Sequence, residues 1–385
     1  MSYELTEELT IFARIVRGFA EKHLADGALK RAHSSAFPFD VAKLMAQNGL
    51  LGITLPEEDG GLGGTAFDAI IAIDEVAQVC PRSADVIQAG NFGPIRTFSE
   101  FATEYQKEKF LPGLLAGETV ISLCMSEPEA GSAATELKTS AVQDGQYITV
   151  NGTKVFSTHS ADASVYLVYV RFGPGIKGIG AVLVERDAPG LEIGNPSSFM
   201  NGENWCQLYF DNCKVSSRNL LLGPGGFKNL ISGFNVERLG NSARSLALGK
   251  YAFNRAREHA LVRRQFDREL CEFQGIQWKF ADMATRLDAA ELLLQRAARS
   301  KGADGLPDGY STAMAKMACN EAGHFVANEA LQVMGATGFS QEALVEYCVR
   351  RTRGWMIAGG SIEMLKNRIA ENVFDRRFSQ RADKR

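Results

Sequence analysis

The sequence lacks any apolar run approaching the ~20 residues needed to cross a bilayer. Its first stretch, Met1 to Arg17, carries Glu4, Glu7 and Glu8 and has no signal-peptide order. A cytoplasmic protein without a membrane partner is the expectation. The seven cysteines (Cys80, Cys124, Cys206, Cys213, Cys271, Cys319 and Cys348) are odd in number, scattered and without a C-x-x-C pair. A disulfide framework and a zinc site are thereby excluded, and no other metal is expected. The formal net charge is only -3, so nothing draws the chain to nucleic acid. The basic stretch Arg376 to Arg385 reads as a solvated terminus. No internal repeat or low-complexity segment occurs. What remains is a chain of 385 residues, 45% apolar and 23% charged, an ordinary globular composition with length for two or three packed domains.

The hydrophobic period changes twice, which predicts an α+β multidomain fold. In residues 1–119 it is helical: Leu5, Leu9, Phe12, Ile15, Val16 and Phe19 share one face, as do Val41, Leu44, Met45 and Leu51. The turn-rich run Pro56 to Gly64 precedes a helix over Phe67 to Val79. In residues 120–228 the period becomes two, predicting a middle antiparallel β-barrel or sandwich. Strands are expected at Tyr147–Val150, Lys154–Thr158, Val165–Phe172, Gly180–Glu185, Leu191–Ile193 and Gln207–Phe210, with Asn151-Gly152 as a hairpin turn. Asn151-Gly152-Thr153 fits a glycosylation acceptor by letter, but without a secretion signal it is simply a turn. In residues 229–385 long helices return over Leu239–Arg263, Gln274–Lys301, Gly309–Met334 and Gln341–Met356, separated by breaks at Gly302 to Pro307 and Gly335 to Gly338. They predict a C-terminal four-helix bundle.

Gly173-Pro-Gly175-Ile-Lys-Gly178 satisfies G-x-G-x-x-G. The dinucleotide fingerprint needs a helix to open after the glycines, whereas Ile179 to Val184 reads as a strand. Strand, glycine loop, strand is a hairpin, and any dinucleotide is bound in another way.

The segment Cys124-Met-Ser126-Glu-Pro-Glu-Ala-Gly-Ser132-Ala133 is dense in hydroxyls, glycine and turn formers, which present donors to anionic or polar ligands. It resembles the T-E-P-x-A-G-S-D signature of the acyl-CoA dehydrogenase family. Tyr147 to Thr158 is similar to Y-x-x-N-G-x-K-x-W-I-T. Arg263-Arg-Gln-Phe266, Phe273-Gln274 and Ala281-Asp282-Met283 resemble R-x-x-F-G, F-Q and A-D-M. Gln332-Val-Met-Gly335-Ala-Thr-Gly338-Phe339 resembles Q-x-x-G-G-x-G-Y/F, and Gly360-Ser361-Ile-Glu363 resembles G-T-x-E. The matches run in order along nearly the whole chain. The resemblance implies FAD held between subunits, an acyl-CoA substrate, an electron-transfer flavoprotein as acceptor, and a homo-oligomer, at least a dimer and by family habit a tetramer. It assigns Ser126 and Thr158 to the flavin ring, Phe156 to its cover, and Ser132 to the neighbourhood of pyrophosphate or CoA. Arg263, Phe266, Gln274, Gln332 and Gly335 fall to the FAD of the neighbouring subunit, and Ser361 to a further FAD contact. Ala133, Ala336, Asp267 and Arg350-Arg351-Thr352 depart from the family pattern.

The family reaction removes a proton alpha to a thioester and a hydride from the beta carbon. The proton demands a carboxylate in a dry pocket, where burial raises its pKa, and donors on the thioester oxygen. Most of the family places that Glu immediately before G-T; here the position is Gly359. Either the base has moved or the protein does not dehydrogenate. Val236-Glu237-Arg238-Leu239 resembles the E-R-L of the isovaleryl-CoA and long-chain acyl-CoA dehydrogenases, which carry the base at the start of the first long C-terminal helix and also lack it at the Gly359 position. Glu237 is therefore the expected base. Gly359 would give its N–H to the thioester oxygen, and Asn235 and Arg238 match residues near CoA.

Asp85 and Gln88, three apart on one predicted helix face, fall in a stretch that resembles the helix lining the acyl tail in the family. A carboxylate facing the pocket would imply a short acyl group with a polar or cationic end; the plainer possibility is that Asp85 faces solvent. Ser126 to Ala133 and Ile357 to Gly360 also resemble the 3-sulfinopropionyl-CoA desulfinases. Those lack a carboxylate at the Glu237 position and grip the sulfinate with an Arg where Asp85 stands. The same resemblance admits an enoyl-CoA reductase, and a flavin fold without its chemistry would leave a non-catalytic binding protein.

Overall fold

The structure, a computed structural model, describes residues 4–302 and 305–379. Met1 to Tyr3, the centre of the Gly302–Pro307 break and the end of the basic tail lie outside them. The N-terminal part is seven helices: α1 Glu7–Leu24, α2 Ala28–Ala32, α3 Phe39–Gln47, α4 Ala66–Ala77, α5 Ala84–Asn91, α6 Gly93–Phe101 and α7 Glu104–Leu115. Their starts are written in the chain. The Thr6 hydroxyl accepts from Leu9 N–H, and Thr65 with Asp68 and Thr103 with Gln106 form capping boxes.

The middle part holds β1 Ile121–Cys124, β2 Ser140–Asp144, β3 Tyr147–Lys154, β4 Val165–Arg171, β5 Ile179–Glu185, β6 Leu191–Ile193, β7 Ser197–Ser198, β8 Asn204–Trp205, β9 Leu208–Ser216 and β10 Leu220–Leu222. Eight of them form one sheet in the order β10-β5-β4-β2-β3-β9-β6, with β1 beside β4. The sheet corrects three expectations. It is mixed, because β1 runs parallel to β4 and β2 meets β4 in parallel at Ser140 and Arg171. The chain leaves β1, makes the β2–β3 hairpin and re-enters β4 in its original direction. Asn151-Gly152 is not a turn: β3 runs through it with a register shift against β9. The bulge needs glycine, since Gly152 has φ 146° and a Cβ there would stand 2.6 Å from the Thr139 hydroxyl. The hairpin turn is at Asp144-Gly145, where Asp144 pairs with Tyr147 across Gly145 at φ 56°. Finally, β3 ends at Lys154, and Val155–Thr158 is a loop rather than a strand. The loop from Gly173 to Gly178 joins antiparallel β4 and β5 as a hairpin.

The C-terminal part is α8 Phe227–Val262, the short pair β11 Arg264–Gln265 and β12 Arg268–Glu269, then α9 Gln274–Ala298, α10 Gly309–Met334, α11 Ala336–Phe339, α12 Leu344–Trp355 and α13 Ile362–Val373. Helices α8 and α10 touch backbone to backbone: a Cβ on Gly323 would lie 2.2 Å from the Ser245 carbonyl oxygen, and one on Gly249 2.9 Å from the Gly323 Cα. One large core runs from α1 and α4 through the sheet to α8, α9 and α10. Helix α8 begins twelve residues earlier than its apolar period suggests. Glu237 therefore lies ten residues inside it rather than at its start, too deep for the helix terminus to stabilise its charge.

Candidate active site

Glu237 projects from α8 toward α5 and the start of α6. Its Oε2 would stand 2.8 Å from a Cβ on Gly93, so the carboxylate leans on bare backbone where α6 begins at φ 35°. Asn241, one turn on, points Nδ2 at Glu237 Oε1 at 3.4 Å. Gln88 of α5 is buried on Gly240, and neither atom of its amide meets a partner at full hydrogen-bond distance. Glu237 is enclosed by protein but keeps partial solvent access. Burial raises its carboxyl above the usual carboxylate range, against the pull of Arg244, Asn241, Gln88 and Lys316.

Gly359 lies against the same Asn241 amide. Gly359 and Gly360 have φ 75° and 92°, which glycine adopts without strain. A Cβ on Gly359 would stand 2.8 Å from Asn241 Nδ2 and 3.0 Å from Lys316 Cε. The loop is held from below. Arg238 Nε donates to Gly359 O at 3.0 Å, and Lys316 Nζ donates to Trp355 O at 3.0 Å and Gly360 O at 3.1 Å. Among the described residues no backbone carbonyl takes the Gly359 N–H. Asn235 accepts from Arg238 Nη1 at 3.0 Å. Asn235 and Arg238 thus support the glycine loop, a task the sequence did not reveal. Lys316 was also missed. Burial and the Arg238 charge push its ammonium down to about 7. A lysine on the apolar face of α10 was its only signal.

Asp85 is neither in solvent nor free in a pocket. It is 1% exposed, with Arg82 at 2.7 Å, Arg244 at 2.6 Å and Arg351 at 2.9 Å. Glu203, from the turn between β7 and β8, binds Arg82 at 2.5 Å and also Arg351. Burial works against the Asp85 charge, but the three guanidiniums win and hold its carboxyl well below the usual range. The carboxylate that would have met a cationic tail is fully occupied.

The residues expected at the cofactor separate into two groups. In the first, the Val155 N–H donates to Ser126 O at 3.0 Å and Ser122 Oγ to Thr158 O at 2.7 Å, bringing both loops to one edge of the sheet. Phe156 has φ 56° and is 59% exposed, with its ring 4.5 Å from that of Trp205. Below it, buried Lys154 bonds Glu127 Oε1 at 2.8 Å, and Glu127 accepts from the backbone N–H groups of Lys138 and Thr139. The Glu of the Ser-Glu-Pro motif thus fastens the loop. Ser132 lies exposed on it, and Ser361 caps α13, accepting from Met364 N–H. In the second group, Arg263, Phe266, Gln274, Gln332 and Gly335 are all exposed where α8 and α10 end and α9 begins. Twenty-six residues of one helix separate Glu237 from Arg263, about 39 Å at 1.5 Å per residue.

Family models for the acyl-CoA dehydrogenase N-terminal, middle and C-terminal domains match residues 6–118, 122–213 and 224–374. The chain is 32% identical to a 3-sulfinopropanoyl-CoA desulfinase of Paraburkholderia xenovorans, over 98% of this chain and 99% of that protein. It is 34% identical to an acryloyl-CoA reductase (NADH) of Anaerotignum propionicum, over 98% and 97% respectively. The solved butyryl-CoA dehydrogenase of Megasphaera elsdenii superposes with a TM-score of 0.90 at 29% identity, over 97% of this chain and all of that one. The chain belongs to the acyl-CoA dehydrogenase family, FAD-dependent oxidoreductases that act on acyl-CoA thioesters. The residues present suit FAD. The exposed Phe156 ring against half-buried Trp205, in a loop that runs on to Thr158 and is bonded through Val155 N–H to the Ser126 carbonyl, suits a flat ring system with a polar rim. Among the described residues no helix is long and apolar enough to cross a membrane.

Proposed function

We propose that this chain dehydrogenates a short acyl-CoA thioester between its alpha and beta carbons, with Glu237 as the base. The observation that carries the reading is the Glu237 carboxyl, raised by burial, bonded to Asn241, whose Nδ2 lies against a Gly359 held at positive φ where a side chain would be strained. FAD, when bound, supplies the acceptor for the beta hydride. Glu237 takes the alpha proton onto its carboxylate. Gly359 N–H steadies the charge that develops on the thioester oxygen. Arg238 and Lys316 keep that donor in place through the Gly359 and Gly360 carbonyls. Gln88, beside the carboxylate, is the polar group offered to the acyl chain.

Ser126, Thr158 and Phe156 hold the flavin ring, with Ser132 and Ser361 near the remaining polar parts of cofactor and substrate. Arg263, Phe266, Gln274, Gln332 and Gly335 serve the FAD of a second subunit. The length of α8 between the two groups supports at least a dimer, with a tetramer as the family arrangement. The electron acceptor is an electron-transfer flavoprotein, and the setting is the cytoplasm.

The same site runs in reverse as an enoyl-CoA reductase. Glu237, raised toward its protonated form, is then the acid that returns the alpha proton, and the likeness to an acryloyl-CoA reductase favours weighing this direction. Desulfination has no use for a carboxylate at position 237.

The test is anaerobic titration of the flavin-loaded protein with butyryl-CoA and longer acyl-CoAs. Glu237→Gln lowers the rate of flavin bleaching by roughly 10²–10⁴-fold and leaves flavin content unchanged. Bleaching as fast as in the unaltered protein would remove Glu237 as the base.

A further inference from the structure

The buried ion cluster does not end at Asp85. Arg244 gives Nη1 to Asp85 Oδ1 and Nη2 to Asn241 Oδ1. An amide whose oxygen is engaged by a guanidinium can turn only its nitrogen to the other side, and there Asn241 Nδ2 meets Glu237 Oε1. Asp85, Arg244, Asn241 and Glu237 thus form one chain of contacts running from α5 to the candidate base. The cluster holds three guanidiniums, Arg82, Arg244 and Arg351, against two carboxylates, Asp85 and Glu203. One positive charge is in surplus, and the nearest carboxylate outside the cluster along this chain is Glu237.

We propose that Arg244, locked by Asp85, is a positioning residue that orients the Asn241 amide toward Glu237 and supplies the buried positive charge that lets Glu237 stand ionised in a dry pocket. The proposal rests on Glu237 being the base. It answers a physical difficulty: a carboxylate out of water protonates unless something compensates its charge. The groups around Glu237 come from every element packed on it. They are Arg238, Asn241 and Arg244 from α8, Gln88 from α5, the first turn of α6 at Gly93, Lys316 from α10 and the Tyr169 phenol from β4. Tyr169 is buried and neutral, its ionisation pushed well up by burial. Lys316 loses much of its charge near neutrality. Arg238 faces the Gly359 carbonyl. Arg244 is left as the durable positive partner.

The experiment follows flavin bleaching by butyryl-CoA against pH in the FAD-loaded protein. In parallel it reads the Glu237 carboxyl directly by its infrared band, identified as the one lost in Glu237→Gln. Arg244→Met should move the acid limb and the infrared titration up by a pH unit or more, a tenfold or greater loss of rate below the limb. Arg244→Lys keeps a cation and should stay closer to the unaltered protein. Asn241→Ala should move both readouts up by less than Arg244→Met. Asp85→Asn keeps the Oδ1 acceptor that holds Arg244 while removing a competing negative charge, and should move them down. Flavin content and melting temperature identify any variant that fails to fold, and Asn241→Ala, the mildest change in packing, then carries the decision. The proposal is overturned if Arg244→Met lowers the rate equally at all pH with the infrared titration unmoved, or if Arg244→Met and Asp85→Asn shift in the same direction. If Glu237→Gln bleaches normally while the infrared titration still shifts as described, the base assignment fails and the electrostatic coupling stands.

Discussion

The two ends of α8 are built on opposite terms. Around Glu237 the helix is mostly enclosed, and the polar groups there are bonded within the chain: Arg244 to Asp85, Arg238 to Asn235 and the glycine loop. Around Val262 and Arg263 it runs out into open apolar surface. Val262 is 76% exposed, and Phe266, at φ 50°, is 88% exposed. The first end is complete within one chain. The second holds a phenylalanine at positive φ in water, at a cost in backbone strain, and exposed apolar groups of this kind mark interaction surfaces. The proposed base thus sits among packed elements of its own chain, and the far end of the helix presents exposed side chains.

The comparison is broken most severely by moving the base. A double variant carrying Glu237→Gly and Gly359→Glu should stay roughly 10²–10⁴-fold below the unaltered protein in flavin bleaching, because position 359 has positive φ and meets Asn241 and Lys316. Recovery of activity would show that the loop is more yielding than its geometry indicates. Next in size, Glu203→Gln leaves Arg82 and Arg351 short of a buried partner and should cost about 3–5 kcal/mol, read by denaturant unfolding; a change under about 1 kcal/mol would count against the cluster as a structural joint. Lys316 gives a smaller, pH-dependent effect. Its folded value of about 7 lies below the ordinary lysine value of 10.5, so between those limits the unfolded chain binds the extra proton. Stability should therefore rise with pH across that window, by at most about 1.4 kcal/mol per pH unit, and Lys316→Met should flatten the slope. At the far end, Phe266→Ala should leave single-chain stability nearly unchanged. It should weaken FAD retention by about tenfold, roughly the value of one aromatic contact, and shift the mass distribution toward single chains in analytical ultracentrifugation.

The helices and the order of the three parts were legible because the apolar period is local: Gly309–Met334 emerges with the bounds read from the sequence. The first twelve residues of α8 were hidden because glycines at the cap and within the first turns, Gly226, Gly233 and the nearby Gly240, dilute its period, and the last two are required by close neighbours, Thr97 and Gln88. Asn151-Gly152 misled because the same dipeptide serves a bulge as readily as a turn, while Asp144-Gly145 carried the hairpin signal a few residues earlier. The candidate base was legible through a motif. Its support was not, because Arg244 and Arg351 lie 159 and 266 positions along the chain from Asp85 and reach it only after folding. A lone Asp on a helix face gives no sign that three arginines will converge on it.

Arg82 and Asp85 come from the first helical part, Glu203 from the β-rich part, and Arg244 and Arg351 from the bundle. No one of the three can swing away without stranding an ion in a place that water does not reach. Heat should accordingly melt the subunit as one cooperative body, and a calorimetric trace resolving a separately melting segment would mean that this knot had already come undone.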